Sequence, residues 1–204
     1  VIGIRQSIQL YYVIYVWGDA SYVSQLGISL VVGMLLGMVV TPQLLRKFSH
    51  KQIFIVSCIL GSVSCLIPYF IGDGNITVTL ILFAVSFFFS GITTIVSTSM
   101  LLDTIDYSEW KLGFRGEGIV FSTQTFITKF SGAVSRLIIG ASLGLLHYIE
   151  NQPVTASLQH GLSFVMFVLP AVCFAAAIIP ILFYSLSHHQ RNQMLIELEN
   201  SRAL

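Results

Sequence analysis

Apolar residues run along the chain in long blocks broken by short polar stretches, with neither the strict alternation of a half-buried strand nor the narrow stripe of a surface helix. A membrane-spanning helix needs about 20 mainly apolar residues. Six blocks qualify: 1–17, 23–44, 52–71, 77–101, 118–147 and 160–186, the first of them shortened at its start. Turn-forming breakers separate several of them: GDAS at 18–21, GDGN at 72–75 and ENQP at 150–153. The pattern predicts an all-α membrane protein, a six-helix bundle over 1–186 followed by a tail over 187–204. The blocks are too long for the strands of a membrane barrel.

Charge adds an orientation. Arg46, Lys47 and Lys51 fall in one connector, Lys111 and Arg115 in another, and Arg191 and Arg202 in the tail. The alternate connectors carry only Asp19, Asp73 and Glu150. By the positive-inside rule both ends of the chain face the cytoplasm. Arg5 fits as a residue at the cytoplasmic start of the first span. Composition agrees with a lipid environment: 55% of the 204 residues are hydrophobic and 9% charged, against about 25% charged in soluble domains. The net charge of +1 and the lack of a basic run offer nothing to nucleic acid. Cys58, Cys65 and Cys173 lie in apolar runs without metal-ligand spacing and read as small core residues. The opening VIGIRQ carries no initiator methionine and no separate signal peptide, so a piece of a longer protein is expected.

Two glycine pairs, Gly33/Gly37 and Gly140/Gly144, have the four-residue spacing that lets helices approach closely. Pro170 and Pro180 predict a bent last helix.

The candidate chemistry lies in the polar residues of the spans. A cation at the centre of a spanning helix costs about 2.5–3.5 kcal/mol on insertion scales. Lys129 lies near the middle of the fifth span. Ser122, Thr125, Gly132 and Arg136 recur with it at helical spacing, flanked by Gln124 and Thr128. Such a stripe predicts a helix facing a hydrated cavity or another polar helix, and the spans contain no acid to neutralise Lys129. For Arg136 two readings stand: snorkelling to the interface, or holding a substrate carboxylate bidentately. Tyr11, Tyr12 and Tyr15 on the first span suit a sugar, which takes an apolar ring face plus hydrogen bonds. Tyr12, Tyr15 and Asp19 are expected on one face. The hydroxyls of Ser90, Thr93, Thr94, Ser97 and Thr98 are a weak signal, because they can bond to their own helix. The connector LLDTIDYSEWKLGFRGEG (101–118) clusters Asp103, Asp106, Glu109, Lys111, Arg115 and Glu117. With no histidine nearby, it reads as an ion-pair network that gates a path. No nucleophile–base pair, metal cluster or phosphate-cradling loop appears, so the chain does not read as an enzyme.

DTIDYSEWKLGFRGEG followed by VFSTQTFITKFSGA resembles the helix 10 to helix 11 region of the glycoside–pentoside–hexuronide:cation symporters, members of the major facilitator superfamily. YYVIYVWGDA resembles that family's helix 7. The resemblance covers essentially the whole chain and implies the C-terminal half, helices 7–12, of a twelve-helix transporter in a bacterial inner membrane. It implies a sugar or glycoside substrate, co-transported H⁺ or Na⁺ in place of any cofactor, and a partner in the N-terminal half. Lys129 matches the family's central-cavity lysine, and Gln124 and Thr125 match cavity positions before it. Tyr11, Tyr12 and Tyr15 match the aromatic helix 7 segment. Asp103, Asp106, Glu109 and Arg115 match the cytoplasmic gate. Arg136 departs from the family's melibiose carrier, where a small residue stands, and points to an acidic sugar such as a glucuronide. The rival reading is a six-helix membrane scaffold without transport.

Overall fold

A computed structural model describes residues 1–71, 75–114, 116–146, 155–184, 193–194 and 197–198. Helix α1 (Ile2–Tyr12) runs into a π-helical turn (Val13–Trp17). Helices α2 (Tyr22–Leu45), α3 (His50–Ile71), α4 (Ile76–Leu112) and α5 (Glu117–Leu145) come next, each a single rod. The last rod joins α6 (Ala156–Ser163), a second π-helical turn (Phe164–Val168) and α7 (Leu169–Leu182). Among the described residues there is no strand. Five rods are long and apolar enough to cross a membrane. The first, Ile2–Trp17, rises only about 24 Å at about 1.5 Å per residue.

Local chemistry sets most boundaries. The π turn ends at Gly18, with φ +73°, and α4 ends at Gly113, with φ +66°. Both are left-handed positions that glycine reaches without a Cβ penalty. Asn75 caps α4 by accepting the Val78 N–H at 3.3 Å, and Thr155 caps α6 by accepting the Leu158 N–H at 3.3 Å. The sequence predicted that the fourth span stops at residue 101. It continues to Leu112 because DTIDYSEWK contains no breaker, and Gly113 is the first residue suited to a left-handed stop. At 37 residues it rises about 55 Å, well beyond the roughly 30 Å hydrocarbon layer. The last rod is shifted, occupying 156–182 rather than 160–186. Pro170 enters α7 just past the π turn, where a missing N–H costs little, and Pro180 sits in its last turn.

The bundle has one tight seam. On α2, a Cβ added at Gly33 or Gly37 would lie 2.2 or 2.1 Å from the carbonyl oxygens of Ala84 and Phe88. On α4, one added at Gly91 would lie 2.3 Å from the Met34 oxygen. The two backbones therefore touch directly. Helix α3 packs against α4 and α7, and Lys51 on α3 closes that end by donating to the Leu182 and Tyr184 carbonyls at 2.9 and 3.1 Å. The main core gathers Tyr12, Leu26, Phe83, Phe87, Leu162 and Phe167.

The second glycine pair behaves otherwise. Nothing lies within 4 Å of a Cβ at Gly140 or Gly144, so the expected close packing there is corrected. Among the described residues helix α5 packs chiefly along one edge against α1, with a slight contact to α4. Ser135 lies against Gly3, and Ile139, Leu143 and Leu146 join the core. Both glycines fall off that edge.

Candidate functional site

Ser122, Thr125, Lys129 and Arg136 are all exposed on α5, and Gly132 is half-buried. At about 3.6 residues per turn, their stripe runs roughly a quarter turn round from the packed edge at Ser135 and Ile139. Phe126, Ile127, Phe130 and Leu137 are exposed as well, with the Phe126 and Phe130 rings stacked at 6.0 Å. The helix therefore presents polar and apolar residues outside its packed edge. It is the least buried of the spanning rods.

Gln124 is half-buried and belongs to a different surface. It lines a cavity of about 340 Å³ together with Ser90, Thr93, Thr94 and Thr98. Those hydroxyls are partly spent: Thr93 and Thr94 donate to the Ser90 carbonyl at 3.0 and 2.8 Å, and Thr98 to the Thr94 carbonyl at 3.0 Å. What they offer the cavity is mainly acceptor lone pairs.

The three tyrosines separate. Tyr12 is 1% exposed and sits edge-to-face with Trp17 and Phe167 at 5.4 and 5.3 Å. Tyr11 and Tyr15 are half-buried and Asp19 is exposed. The expected common face for Tyr12, Tyr15 and Asp19 is not formed, because a π turn inserts an extra residue and rotates the chain beyond it. Gln159 satisfies the Tyr15 carbonyl at 3.3 Å, and Gln9 donates to the Val23 carbonyl at 3.1 Å. Asp19 accepts the Ser21 N–H at 2.8 Å. That bond holds its carboxyl below the usual range.

The acidic cluster is helical. Asp103 is buried and Asp106 and Glu109 are half-buried, all in the last turns of α4. Lys111 donates to the Tyr107 hydroxyl at 3.0 Å, and Trp110 donates to a Glu197 carboxylate oxygen at 2.6 Å. Arg115 lies outside the described residues, as do Arg191, Arg202 and the 150–153 connector. Among the described residues no three His, Cys, Asp or Glu converge as a metal site.

The residue that sequence reasoning misplaced is Arg5. It is 0% exposed, although it stands near the start of α1. Its Nη1 donates to the Ser86 Oγ on α4 and reaches the Cys65 Sγ on α3 at 3.8 Å. Its guanidinium carbon stands 3.9 Å over Phe83 and 4.7 Å over Phe87. Ser86 comes ten residues after the start of α4 at Ile76, or about 15 Å, which is near mid-depth. Position near the start of the sequence suggested an interfacial charge. The signal that could have found it was register: Arg5 shares a helical face with Ile8, Gln9 and Tyr12, the buried face of α1.

The sequence profile of a family described as MFS/sugar transport protein matches residues 1–188. The chain is 31% identical over 202 residues to a putative sulfoquinovose importer of Escherichia coli K12, covering 98% of this chain and 43% of that protein. It is 30% identical over 205 residues to an isoprimeverose transporter of Lactiplantibacillus pentosus, covering 98% of this chain and 41% of that one. It is 26% identical over 194 residues to a glucuronide carrier protein homolog of Escherichia coli K12, covering 95% and 42%. The chain thus spans less than half the length of these relatives.

Proposed function

The chain belongs to the MFS/sugar transport protein family, and from that premise we propose that it forms the C-terminal wall of a cation-coupled sugar transporter working by alternating access. The observation that carries the reading is the α5 stripe. A lysine and an arginine are exposed seven residues apart on a membrane helix that the rest of the bundle scarcely covers. Exposed to hydrocarbon, each would be costly. Facing a hydrated cavity between two six-helix walls, each is solvated and ready to bind.

In this reading Lys129 lies in the cavity between the walls with Thr125 near it, while Gln124 serves from the pocket beside α4. Lys129 couples cation and sugar binding by occupying and vacating acids of the opposite wall. Tyr11 on α1 and Tyr15 in the π turn supply the aromatic contribution of the first rod. Tyr12 serves by packing, since its ring is closed inside the core. Arg136 gives the site its preference for an anionic sugar. The names of two relatives, a sulfoquinovose importer and a glucuronide carrier homolog, support that substrate class. The acids at the end of α4 with Arg115 form the inner gate, with the first span entered from the cytoplasmic side of a bacterial inner membrane and the tail lying on that side. Charge reversal at Arg115 is then expected to favour the inward-open state. Unchanged labelling of inner-side cysteines in that variant would count against the gate.

The deciding experiment is uptake by the intact gene product, comparing a labelled glucuronide with a neutral galactoside, with and without a Na⁺ or H⁺ gradient. Losing one charged hydrogen-bond partner costs about 1.5–3 kcal/mol. Lys129→Ala is therefore expected to reduce gradient-driven uptake by about tenfold or more, and Arg136→Ala to reduce glucuronide uptake selectively. No gradient-driven uptake of either sugar would leave the substrate open and favour a non-transporting membrane scaffold.

A further inference from the structure

Arg5 is a fully buried cation in a membrane interior, and its hydrogen-bonding capacity is only partly used. Nη1 has the Ser86 hydroxyl, and the guanidinium carbon stands near the rings of Phe83 and Phe87. Nε and Nη2 are buried and have no hydrogen-bond acceptor among the described residues. Those two atoms are not a random pair. In a guanidinium they share one edge, with their N–H bonds pointing the same way, and that edge matches two oxygens of one oxyanion. The helices therefore fix the cation through its third nitrogen and against two neighbouring rings, while its bidentate edge is left without an acceptor among the described residues.

A plain structural role fits poorly. A buried charge without a counter-charge is among the costliest groups a protein can hold. Packing against Phe83 and Phe87 would be served as well by a methionine or leucine. Ser86 donates its own proton to the Phe83 carbonyl at 2.7 Å, which turns its lone pairs toward Arg5 and pins the guanidinium. The neighbouring Cys65 supplies only a weak sulfur acceptor.

We propose that the Nε–Nη2 edge of Arg5 is a built receptor for one carboxylate or sulfonate group, inside the bundle near mid-depth. It is separate from the exposed cations of α5. The oxyanion has two sources, the acidic group of a bound sugar acid or a carboxylate side chain of the intact protein. The first source rests on the transport reading above.

Thermal melts of the intact gene product in detergent test this without any gradient, so loss of uptake and loss of anion binding are read separately. The probes are glucuronate and methanesulfonate, with glucose as the neutral control. An external oxyanion predicts that both anions raise the wild-type melting temperature while glucose does not. The shift should vanish in Arg5→Met and shrink in Arg5→Lys, which keeps the charge but not the fork. An internal carboxylate predicts no anion shift. Instead Arg5→Met should melt well below wild type at pH 8 and recover toward it at pH 5, where the stranded acid can protonate. If Arg5→Met does not fold, Arg5→Lys carries both comparisons. An anion shift that survives in Arg5→Met or is undiminished in Arg5→Lys overturns the proposal. So does a variant with no anion shift and the same melting difference from wild type at both pH values.

Discussion

Gly33 and Gly37 on α2 share their spacing with Gly140 and Gly144 on α5, yet their surroundings are opposite. The first pair lies in backbone contact with α4, where even a methyl group would meet carbonyl oxygen. The second pair looks onto open space. The α2–α4 seam is a fixed joint, with α3 braced against it. Helix α5 leans on α1 along one edge and keeps the rest of its surface uncommitted. Under the proposed function, α5 is the wall that faces a partner elsewhere, and it carries Lys129 and Arg136.

The largest effect expected from this contrast comes from adding one methyl at each site. Gly37→Ala must push the α2 and α4 backbones apart. Its cost should reach or exceed the upper end of the about 1–3 kcal/mol typical of overpacking. Gly140→Ala meets nothing and gains helix propensity worth up to about 1 kcal/mol. Melts of the two variants of the intact gene product in detergent should therefore move in opposite directions. A fall at Gly140 as deep as that at Gly37 would break the contrast, because it would mean that the α5 surface is close-packed in the intact protein.

The same contrast marks what was legible in the sequence. Hydropathy located the rods because each must exclude water from its own backbone, a local requirement. The spacing of Gly33 and Gly37 could not be told from that of Gly140 and Gly144, because close approach depends on which helix lies opposite. Arg5 was misplaced for a related reason: its distance along the chain from a helix end says little about depth until the neighbouring helices are known. The π turns leave no clear mark in the sequence, and the one after Tyr12 rotated Tyr15 and Asp19 out of the expected face. The length of α4 did have a local signal, since the first glycine in the acidic stretch is Gly113. The stripe through Lys129 was readable because it is a periodicity within one helix. Its neighbours Gln124 and Thr125, adjacent in sequence, differ in what they face.

A smaller effect separates the surfaces of α5 itself. If the polar stripe fronts water, a cysteine at Thr125 should react with a membrane-impermeant thiol reagent at least about tenfold faster than one at Phe126, because only a hydrated thiol ionises and reacts. Cys58 and Cys65 are buried and Cys173 is half-buried, so a Cys173→Ser background keeps the signal clean. Protection of the Thr125 cysteine by a bound sugar would tie the hydrated surface to the substrate. Equal rates at the two positions would mean that α5 has no sided environment, and the stripe would lose its meaning.

The smallest effect tests the closed side of the molecule. Lys51 reaches from α3 to the carbonyls of Leu182 and Tyr184, groups that a helix end leaves without intrahelical donors. A cation there also complements the negative end of the helix dipole. Both interactions are partly exposed, so Lys51→Met should cost only about 1 kcal/mol, read as a small drop in melting temperature. The apolar stem survives in methionine, so the loss reports the ammonium group alone. High salt should erase much of the difference, since exposed charges are screened. A loss several times larger would mean that Lys51 holds α7 in place against α3, and that this brace, rather than the glycine seam alone, keeps the body of the bundle rigid while α5 stays free.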